Sequence, residues 1–270
     1  MPHHPDQNPE PNGPILFLAI GDVHGHFDSV IEAIEVASLV EGRPPQLVFL
    51  VGDAEPIRDE VDLAGVYATE KRRSMGNFTA LIPDDLGAPV YFIGGNHDPY
   101  PALDDTTGPY PCPWGESGDV YYLGRVGAQS LNGLSIAWIS GIDSPGADPR
   151  LRAQSIREAT FFSEDELVTL ERQCRILGHV DVLITHEWAS GLHGDRGSKV
   201  LRGLIERVQP SLQICGHLHR VIEANIGVTR VEALTAVPAV TKSQGRPRRG
   251  WWRLYERDST GEIKCLRIGS

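Results

Sequence analysis

Five short apolar runs along the chain are each followed at once by residues that can bind a metal ion or transfer a proton. Such runs, rich in branched and aromatic side chains, predict buried strands. Strands of one open α/β sheet end at a common edge, where such sheets bind ligands, so we expect the polar residues that follow to converge. The runs are Ile15–Ile20, Gln46–Val51, Val90–Ile93, Val180–Thr185 and Leu212–Cys215.

The residues that follow these runs form a candidate metal site. Any one of them also has a simpler interpretation, since an Asp after a strand is often a turn residue and a lone His is often a core residue. Together they are too many for one tetrahedral ion and suit two metal ions that share a carboxylate. We place Asp53 at the centre of the set because it lies in the middle of the sequence order. The seven residues are Asp22, His24, Asp53, Asn96, His186, His217 and His219.

Helical patterns separate the strands. The segment from Phe27 to Val40 has one apolar face and one charged face, which predicts an amphipathic helix. Ser163 and Glu166 have the spacing of a capping box, which predicts the start of a second helix. A third helix is expected over Ser198–Val208, and the charged stretch Asp59–Arg73 is also predicted to be helical.

The remaining apolar runs predict further strands. The turn at Leu131-Asn132-Gly133 is typical of a β-hairpin, and we expect it to join Asp119–Leu123 to Leu134–Ser140. Beyond Arg220, short alternating runs predict antiparallel strands of a second sheet. These runs are Gly227–Glu232, Ala236–Val240, Trp251–Tyr255 and Ile263–Ile268.

Length and charge narrow the class of protein. The chain has 270 residues, of which 40% are hydrophobic, and a net charge of -11. We expect a disordered, polar tail over residues 1–13, without an apolar signal core, and a single domain over residues 14–270. The acidic balance argues against a general binder of nucleic acid or membrane surfaces. It does not exclude a nucleic-acid substrate, because bound divalent cations would make the cleft locally positive.

The cysteines and the apolar runs bear on location. The four cysteines are far apart and include no C-x-x-C pair. This spacing is typical of a reduced cytoplasmic protein without a disulfide framework or zinc finger. No apolar run is long enough to span a bilayer, so we expect no membrane partner. The sequence also gives no sign of an obligate protein partner.

The polar residues fall into five blocks with a recognisable order. The blocks are Gly21-Asp22-x-His24-Gly25, Gly52-Asp53, Gly95-Asn96-His97-Asp98, Thr185-His186 and Gly216-His217-x-His219. In kind and order they resemble the motifs of the calcineurin-like metallophosphoesterases. The resemblance implies an α/β (α+β) fold of four layers, α/β/β/α, with a central β-sandwich flanked by helices. It also implies a two-metal phosphoester hydrolase in which a metal-bridging hydroxide attacks phosphorus.

The same resemblance assigns roles to single residues. One metal ion would be bound by Asp22, His24, Asp53 and His219, and the other by Asp53, Asn96, His186 and His217. His97 would not be a ligand but a general acid or electrostatic stabiliser facing the scissile phosphate. Asp98 would either orient the His97 ring or serve as a turn residue. Mixed imidazole and carboxylate ligands accept Mn, Fe, Zn or Ni, and we expect Mn to support activity.

Further blocks resemble the RNA lariat debranching enzymes, and this resemblance favours a phosphodiester substrate such as a nucleotide or RNA. They include Arg58-Asp59-Glu60-Val61-Asp62-Leu63, Tyr121-Tyr122-Leu123-Gly124 and Thr185-His186-Glu187-Trp188. Arg58 is a candidate for holding a phosphate, with a surface salt bridge as the alternative. Trp188 is a candidate for stacking on a base, with core packing as the alternative.

The chain also departs from those enzymes. They typically carry Cys where this chain has Asp22, and their segment corresponding to Asp143–Phe162 is longer. Two other functions therefore stay open. One is a phosphomonoesterase acting on phosphoprotein or on small phosphate or dinucleotide substrates. The other is a non-catalytic interaction protein that uses metals as a scaffold.

Overall fold

The computed structural model describes residues 13–81, 85–116, 118–241 and 249–269. Of the predicted tail, only Gly13 lies within these residues, and the division into a tail and a single domain stays a prediction. The described chain forms two β-sheets. In chain order the strands are β1 Ile15–Ile20, β2 Leu47–Leu50, β3 Val90–Phe92, β4 Cys112–Pro113, β5 Val120–Tyr122, β6 Val126–Leu131, β7 Leu134–Ile139, β8 Val182–Thr185, β9 Leu212–Cys215, β10 Ile222–Ile226, β11 Thr229–Ala233, β12 Trp252–Arg257 and β13 Ile263–Ile268.

Each sheet has a parallel centre and antiparallel edges. The first, sheet A, has the order β13-β12-β1-β2-β3-β5-β4. Its strands β1, β2, β3 and β5 are parallel. The second, sheet B, has the order β10-β11-β9-β8-β7-β6, with β11, β9, β8 and β7 parallel. All five apolar runs that precede the candidate metal ligands are therefore parallel strands, three in sheet A and two in sheet B.

Helices cover the outer faces of the two sheets. The longest three are amphipathic, and the capping box predicted at Ser163 is present. The stretch expected to be helical over Asp59–Arg73 contains only a short helix and a 3₁₀ turn, because the helix ends at Gly65. The helices are α1 Phe27–Glu41, α2 Glu60–Ala64, α3 Phe78–Leu81, α4 Tyr100–Asp104, α5 Ile156–Ala159, α6 Glu164–Leu177, α7 Lys199–Val208 and α8 Pro238–Thr241.

Alternation along the strands builds the three largest clusters of the core. In β1, Leu16 and Leu18 pack on the α1 side of sheet A, while Phe17 faces the space between the sheets. There Phe17 meets Tyr255, and residues of sheet B such as Ile184 complete the layer. Side chains of α6 and α7 pack on the outer face of sheet B. The predicted four-layer α/β/β/α fold is thus confirmed.

One predicted strand pairing is wrong. The Asn132-Gly133 turn joins β6 to β7 within sheet B, whereas the strand expected as its partner, β5, lies in sheet A beside β3. The strand β6 escaped prediction because it contains polar residues and Gly127. A Cβ at Gly127 would lie 2.0 Å from the Trp138 ring, so only glycine fits beneath that indole.

The C-terminal prediction is also corrected. No separate second sheet forms there among the described residues, since β10 and β11 extend sheet B while β12 and β13 extend sheet A. The run Ala236–Val240 is not a strand, and α8 begins within it at Pro238. Proline lacks the N–H that a ladder requires and suits the first turn of a helix. None of the helices in the described chain has the length and apolar character needed to cross a bilayer.

Candidate metal centre

The turns that follow β1, β2, β3, β8 and β9 meet at one edge of the two sheets. The N–H of His24 donates to the carbonyl of Asp53, and Nδ1 of His186 lies 2.9 Å from the carbonyl oxygen of Val51. The second contact joins the strand ends of sheet B to those of sheet A. The structure therefore brings the predicted residues of both sheets to one place.

Several turn residues there have left-handed backbone, which non-glycine residues seldom adopt. In the described chain, positive φ outside glycine occurs at the site and at two distant turns, Asn132 and Gln209. Each such residue costs of the order of 1–3 kcal/mol, so the surrounding structure must hold it in place. The five at the site are His24, Asp53, Glu55, His217 and His219.

A first group of four side chains could hold a cation. One ligand atom from each of Asp22, His24, Asp53 and His219 lies within 4.8 Å of the others. Nε2 of His219 lies 2.9 Å from Oδ2 of Asp22 and 3.2 Å from Nε2 of His24. Imidazole nitrogens and carboxylate oxygens converging in this way form a donor set that divalent transition metals prefer.

A second group of side chains also neighbours Asp53. Nε2 of His186 is 3.2 Å from Oδ2 of Asp53 and 3.3 Å from Oδ1 of Asn96. Since the Val51 carbonyl only accepts, Nδ1 of His186 carries a proton, and Nε2 is the atom available to a cation. The ring of His217 packs edge-on against that of His186, with centroids 5.0 Å apart.

Asp53 is shared by the two groups. Its Oδ2 faces Nε2 of His186 at 3.2 Å and Nε2 of His24 at 3.9 Å. Its Oδ1 accepts a hydrogen bond of 2.7 Å from the backbone N–H of His97. One carboxylate oxygen between two imidazole nitrogens is the arrangement expected of a bridging ligand.

The negative charge of the buried carboxylates favours the binding of cations at the site. Burial lowers the pKa of His24 and His186, but the nearby carboxylates outweigh it and raise the two values to about 9 and about 10. Burial raises the pKa of Asp53, but His186 outweighs it and holds the value well below its usual range. Burial and the charge of His186 lower the pKa of His217 to about 4. The buried carboxylates thus gather positive charge, which divalent metal ions would supply in place of protons.

Glycines in the motif blocks leave room for these side chains. A Cβ at Gly95 would lie 2.2 Å from Oδ1 of Asp53 and 2.8 Å from Nε2 of His186. A Cβ at Gly216 would lie 2.1 Å from Oδ1 of Asp22. Neither contact is sterically possible, so both positions must be glycine for the carboxylates to sit where they do.

Comparison with known proteins agrees with this geometry. The sequence model of the calcineurin-like phosphoesterase family matches residues 15–221. The chain belongs to the calcineurin-like phosphoesterase family. The matched region contains all seven predicted metal ligands and His97.

Curated relatives of this phosphoesterase include lariat debranching enzymes. The Drosophila melanogaster enzyme is 29% identical over 231 residues, which cover 74% of this chain and 42% of that protein. The human enzyme is 25% identical over 230 residues, covering 74% and 41%. The Entamoeba histolytica enzyme is 24% identical over 241 residues, covering 80% and 67%. The chain thus spans less than half the length of the fly and human relatives.

Solved structures share the fold of this phosphoesterase. The protein TT1561 of Thermus thermophilus has a TM-score of 0.54 at 13% identity, covering 93% of this chain and 97% of that one. GAP50 of Plasmodium has a TM-score of 0.50 at 12% identity, covering 96% and 90%. At such identities the likeness concerns the fold alone.

Within the phosphoesterase site, His97 lies next to the first group of ligands. It is half-buried, and its ring centroid is 5.5 Å from that of His24 in an edge-to-face arrangement. Its backbone contact with Asp53 fixes the turn from which the ring projects. The residue therefore borders the candidate metal centre.

Asp98 lies in a different position from the one expected of an orienting partner for His97. Among the described residues, its carboxylate accepts hydrogen bonds from the backbone N–H of Gly95 at 2.6 Å and of Glu55 at 2.7 Å. Burial, and then the charge of Asp53, raise the pKa of Asp98 to about 7. Asp98 links two turns of the site, which corresponds to its alternative interpretation as a turn residue.

Glu55 is a site residue that the sequence analysis missed. Its Oε1 lies 2.7 Å from Nδ1 of His24, whereas the other ring nitrogen, Nε2, faces His219 and Asp53. The residue follows Asp53 by two positions in the same turn. The only available signal was a charged residue in a segment that is otherwise apolar, Ala54 to Ile57.

The two substrate-binding candidates differ in exposure. Trp188 is fully buried and packs with Cys215 and Ala233, while its Nε1 donates to the carbonyl of Gly216. The structure thus places Trp188 in the core, as its alternative interpretation expects. Arg58 pairs with the buried Asp62 at 2.8 Å and stacks 3.9 Å above the Trp114 ring, with 38% of its side chain exposed.

Proposed function

We propose that this protein is a metal-dependent phosphoester hydrolase that uses two divalent metal ions to cleave a phosphodiester in a nucleotide or RNA. The proposal is carried by the position of Asp53, whose Oδ2 faces the ring nitrogens of both His24 and His186. The family and the debranching relatives support the reaction type. Two cations held there would polarise the phosphoryl oxygens and lower the pKa of an attacking water.

The side chains have separate tasks in this proposal. Asp22, His24, Asp53 and His219 would hold one cation, and Asp53, Asn96, His186 and His217 would hold the other. Val51 fixes the tautomer of His186 through its carbonyl. His97 donates a proton to the departing oxygen as a general acid. We propose Mn as the activating metal, with Fe, Zn and Ni as ions that the same ligands accept.

Arg58 is proposed to contact a second phosphate of the substrate. Its ion pair with Asp62 and its stacking on Trp114 hold the guanidinium in one orientation, which reduces the entropy lost on binding. A partly exposed guanidinium prepared in this way suits a polyanionic substrate better than a small monoester. We also propose a cytoplasmic location, since widely spaced cysteines suit a reducing compartment.

Paired substrates test the proposal. The Mn-loaded protein would be assayed on bis-p-nitrophenyl phosphate and p-nitrophenyl phosphate, and on 2′-5′-branched beside linear RNA. Preference for the diester and for the branch supports a debranching-like phosphodiesterase. Turnover of the monoester alone would instead identify a phosphomonoesterase. Inactivity on all four substrates with metal bound would favour a scaffold role.

A further inference from the structure

Glu55 is a buried carboxylate that the proposed reaction does not use, yet it touches a proposed metal ligand. It is 6% exposed, and its Oε1 lies 2.7 Å from Nδ1 of His24. A carboxylate can only accept, so Nδ1 of His24 carries the proton in this contact. The other ring nitrogen, Nε2, then faces His219 at 3.2 Å and Asp53 at 3.9 Å.

We propose that Glu55 is a positioning residue that fixes the tautomer and ring plane of His24, so that Nε2 points into the metal centre. Histidines that bind metals commonly donate their second N–H to a carboxylate or carbonyl, which orients the ring and makes it a more basic ligand. This role rests on the proposed function, since the orientation of His24 matters only if His24 binds a metal ion.

The backbone of Glu55 is held in place by contacts with neighbouring turns. Its backbone is left-handed, with φ of 48°, a conformation that glutamate seldom adopts. Its N–H donates to Oδ1 of Asp98 at 2.7 Å, and Oδ2 of Asp98 accepts from the N–H of Gly95 at 2.6 Å. A chain of contacts from His24 through Glu55 and Asp98 to Gly95 therefore joins the turns after β1, β2 and β3. Glu55 can hold the imidazole because Asp98 holds Glu55.

Glu187 provides a matched comparison. It is also buried, at 7% exposed, and it also neighbours a proposed ligand, His186. Its oxygens, however, accept from the backbone N–H groups of Trp188 at 2.8 Å and Asp143 at 3.3 Å. The Nδ1 of His186 contacts the Val51 carbonyl instead. A buried glutamate at a strand end therefore does not by itself position an imidazole.

Binding of Mn²⁺ separates the two glutamates. Metal-free wild type, Glu55→Ala, Glu55→Gln and Glu187→Ala would be titrated with Mn²⁺, and the free ion followed by electron paramagnetic resonance. We expect two ions per wild-type chain. In Glu55→Ala, one site should weaken by roughly 10–100-fold. Glu55→Gln should recover most of the affinity because its side-chain oxygen still accepts from Nδ1, and Glu187→Ala should bind Mn²⁺ as the wild type does.

A double-mutant cycle tests whether Glu55 acts through His24. Once His24→Ala has removed the imidazole, adding Glu55→Ala should weaken Mn²⁺ binding no further. Circular dichroism would confirm folding, and Glu55→Leu would replace Glu55→Ala if the smaller side chain prevented it. Wild-type affinity in Glu55→Ala, or an equal loss in Glu187→Ala, would overturn the role of Glu55 but not the proposed function. A wild-type chain that binds no Mn²⁺ would instead overturn the proposed function and this role with it.

Discussion

The backbone N–H of His97 donates a 2.7 Å hydrogen bond to Oδ1 of Asp53. The turn that carries the proposed proton donor thus also orients the proposed bridging carboxylate, and it does so through the main chain. This hydrogen bond does not involve the imidazole of His97. The two tasks can therefore be separated by replacing the side chain.

His97→Ala should retain metal and lose rate. Because the replaced residue keeps its backbone N–H, Asp53 keeps its hydrogen bond, and we expect two Mn²⁺ ions per chain as in the wild type. Loss of a general acid typically lowers the rate by a factor of about 10²–10⁴. The measurements are kcat on 2′-5′-branched RNA, whose departing alkoxide needs a proton, and Mn²⁺ stoichiometry. A variant that lost its Mn²⁺ would contradict the assignment of His97 as a non-ligand.

Gly95→Ala should damage the metal centre through a steric clash. The added Cβ would lie 2.2 Å from Oδ1 of Asp53, so either the carboxylate or the turn must move. We expect Mn²⁺ affinity to fall by at least tenfold, as measured by titration. The matched control is Gly203→Ala in α7, where the nearest atom is the flexible end of Arg207 at 3.1 Å. It should bind Mn²⁺ normally and be more stable by about 1 kcal/mol, since alanine favours a helix interior.

Glu166 should stabilise the protein in a pH-dependent way. Burial raises its pKa, but hydrogen bonds from Arg152 outweigh that effect and lower the value below 4.5. A carboxyl with a depressed folded-state pKa stabilises above the unfolded value and loses that effect as pH falls through the folded value. Glu166→Gln should thus cost about 1.5–3 kcal/mol at pH 7.

Urea unfolding of Glu166→Gln and wild type at several pH values tests this. Glutamine at this position can still complete the capping box with Ser163, so the comparison reports on the ion pair with Arg152. The difference in unfolding free energy should shrink as pH falls below 4.5. A difference that stayed constant from pH 7 to pH 3 would show that charge has no part in it.

Trp188→Phe should affect stability without changing substrate preference. The smaller ring leaves the Gly216 carbonyl without the indole donor, and an unsatisfied buried group costs about 1–3 kcal/mol. Thermal unfolding measures that loss. The ratio of activity on branched RNA to activity on bis-p-nitrophenyl phosphate should stay unchanged. A selective loss on RNA would reinstate Trp188 as a base-stacking residue.

The convergence of the candidate ligands was predictable because its sequence signal is local. Each follows an apolar run, and parallel strands carry their ends to one edge, so Asp22 and His186 meet although they lie in different sheets. Burial of strands such as β1, whose six residues are all buried, follows from composition in the same way. The four-layer fold could be predicted from these rules together with the resemblance of the motif blocks.

The supporting residues were not predictable because their contacts depend on backbone conformation. Glu55 reaches His24 because its backbone is left-handed. Asp98 accepts hydrogen bonds from backbone N–H groups of two turns that are distant in sequence. Trp188 follows the motif histidine, which suggested that it stacks on a base, but its neighbours in sheet B bury it. The strand that precedes the Asn132-Gly133 turn, β6, was missed for a similar reason. The sequence does not show that its Gly127 packs against the Trp138 ring.

Adding Mn²⁺ back to metal-free protein tests the central claim most directly. The rate of bis-p-nitrophenyl phosphate hydrolysis would be followed for the wild type and for Asp53→Asn, which keeps the shape of the shared ligand but removes its charge. We expect activity to appear in the wild type as two ions bind per chain, and Asp53→Asn to bind weakly and stay inactive. Full activity in Asp53→Asn, or wild-type hydrolysis that needs no metal, would contradict a centre built around Asp53.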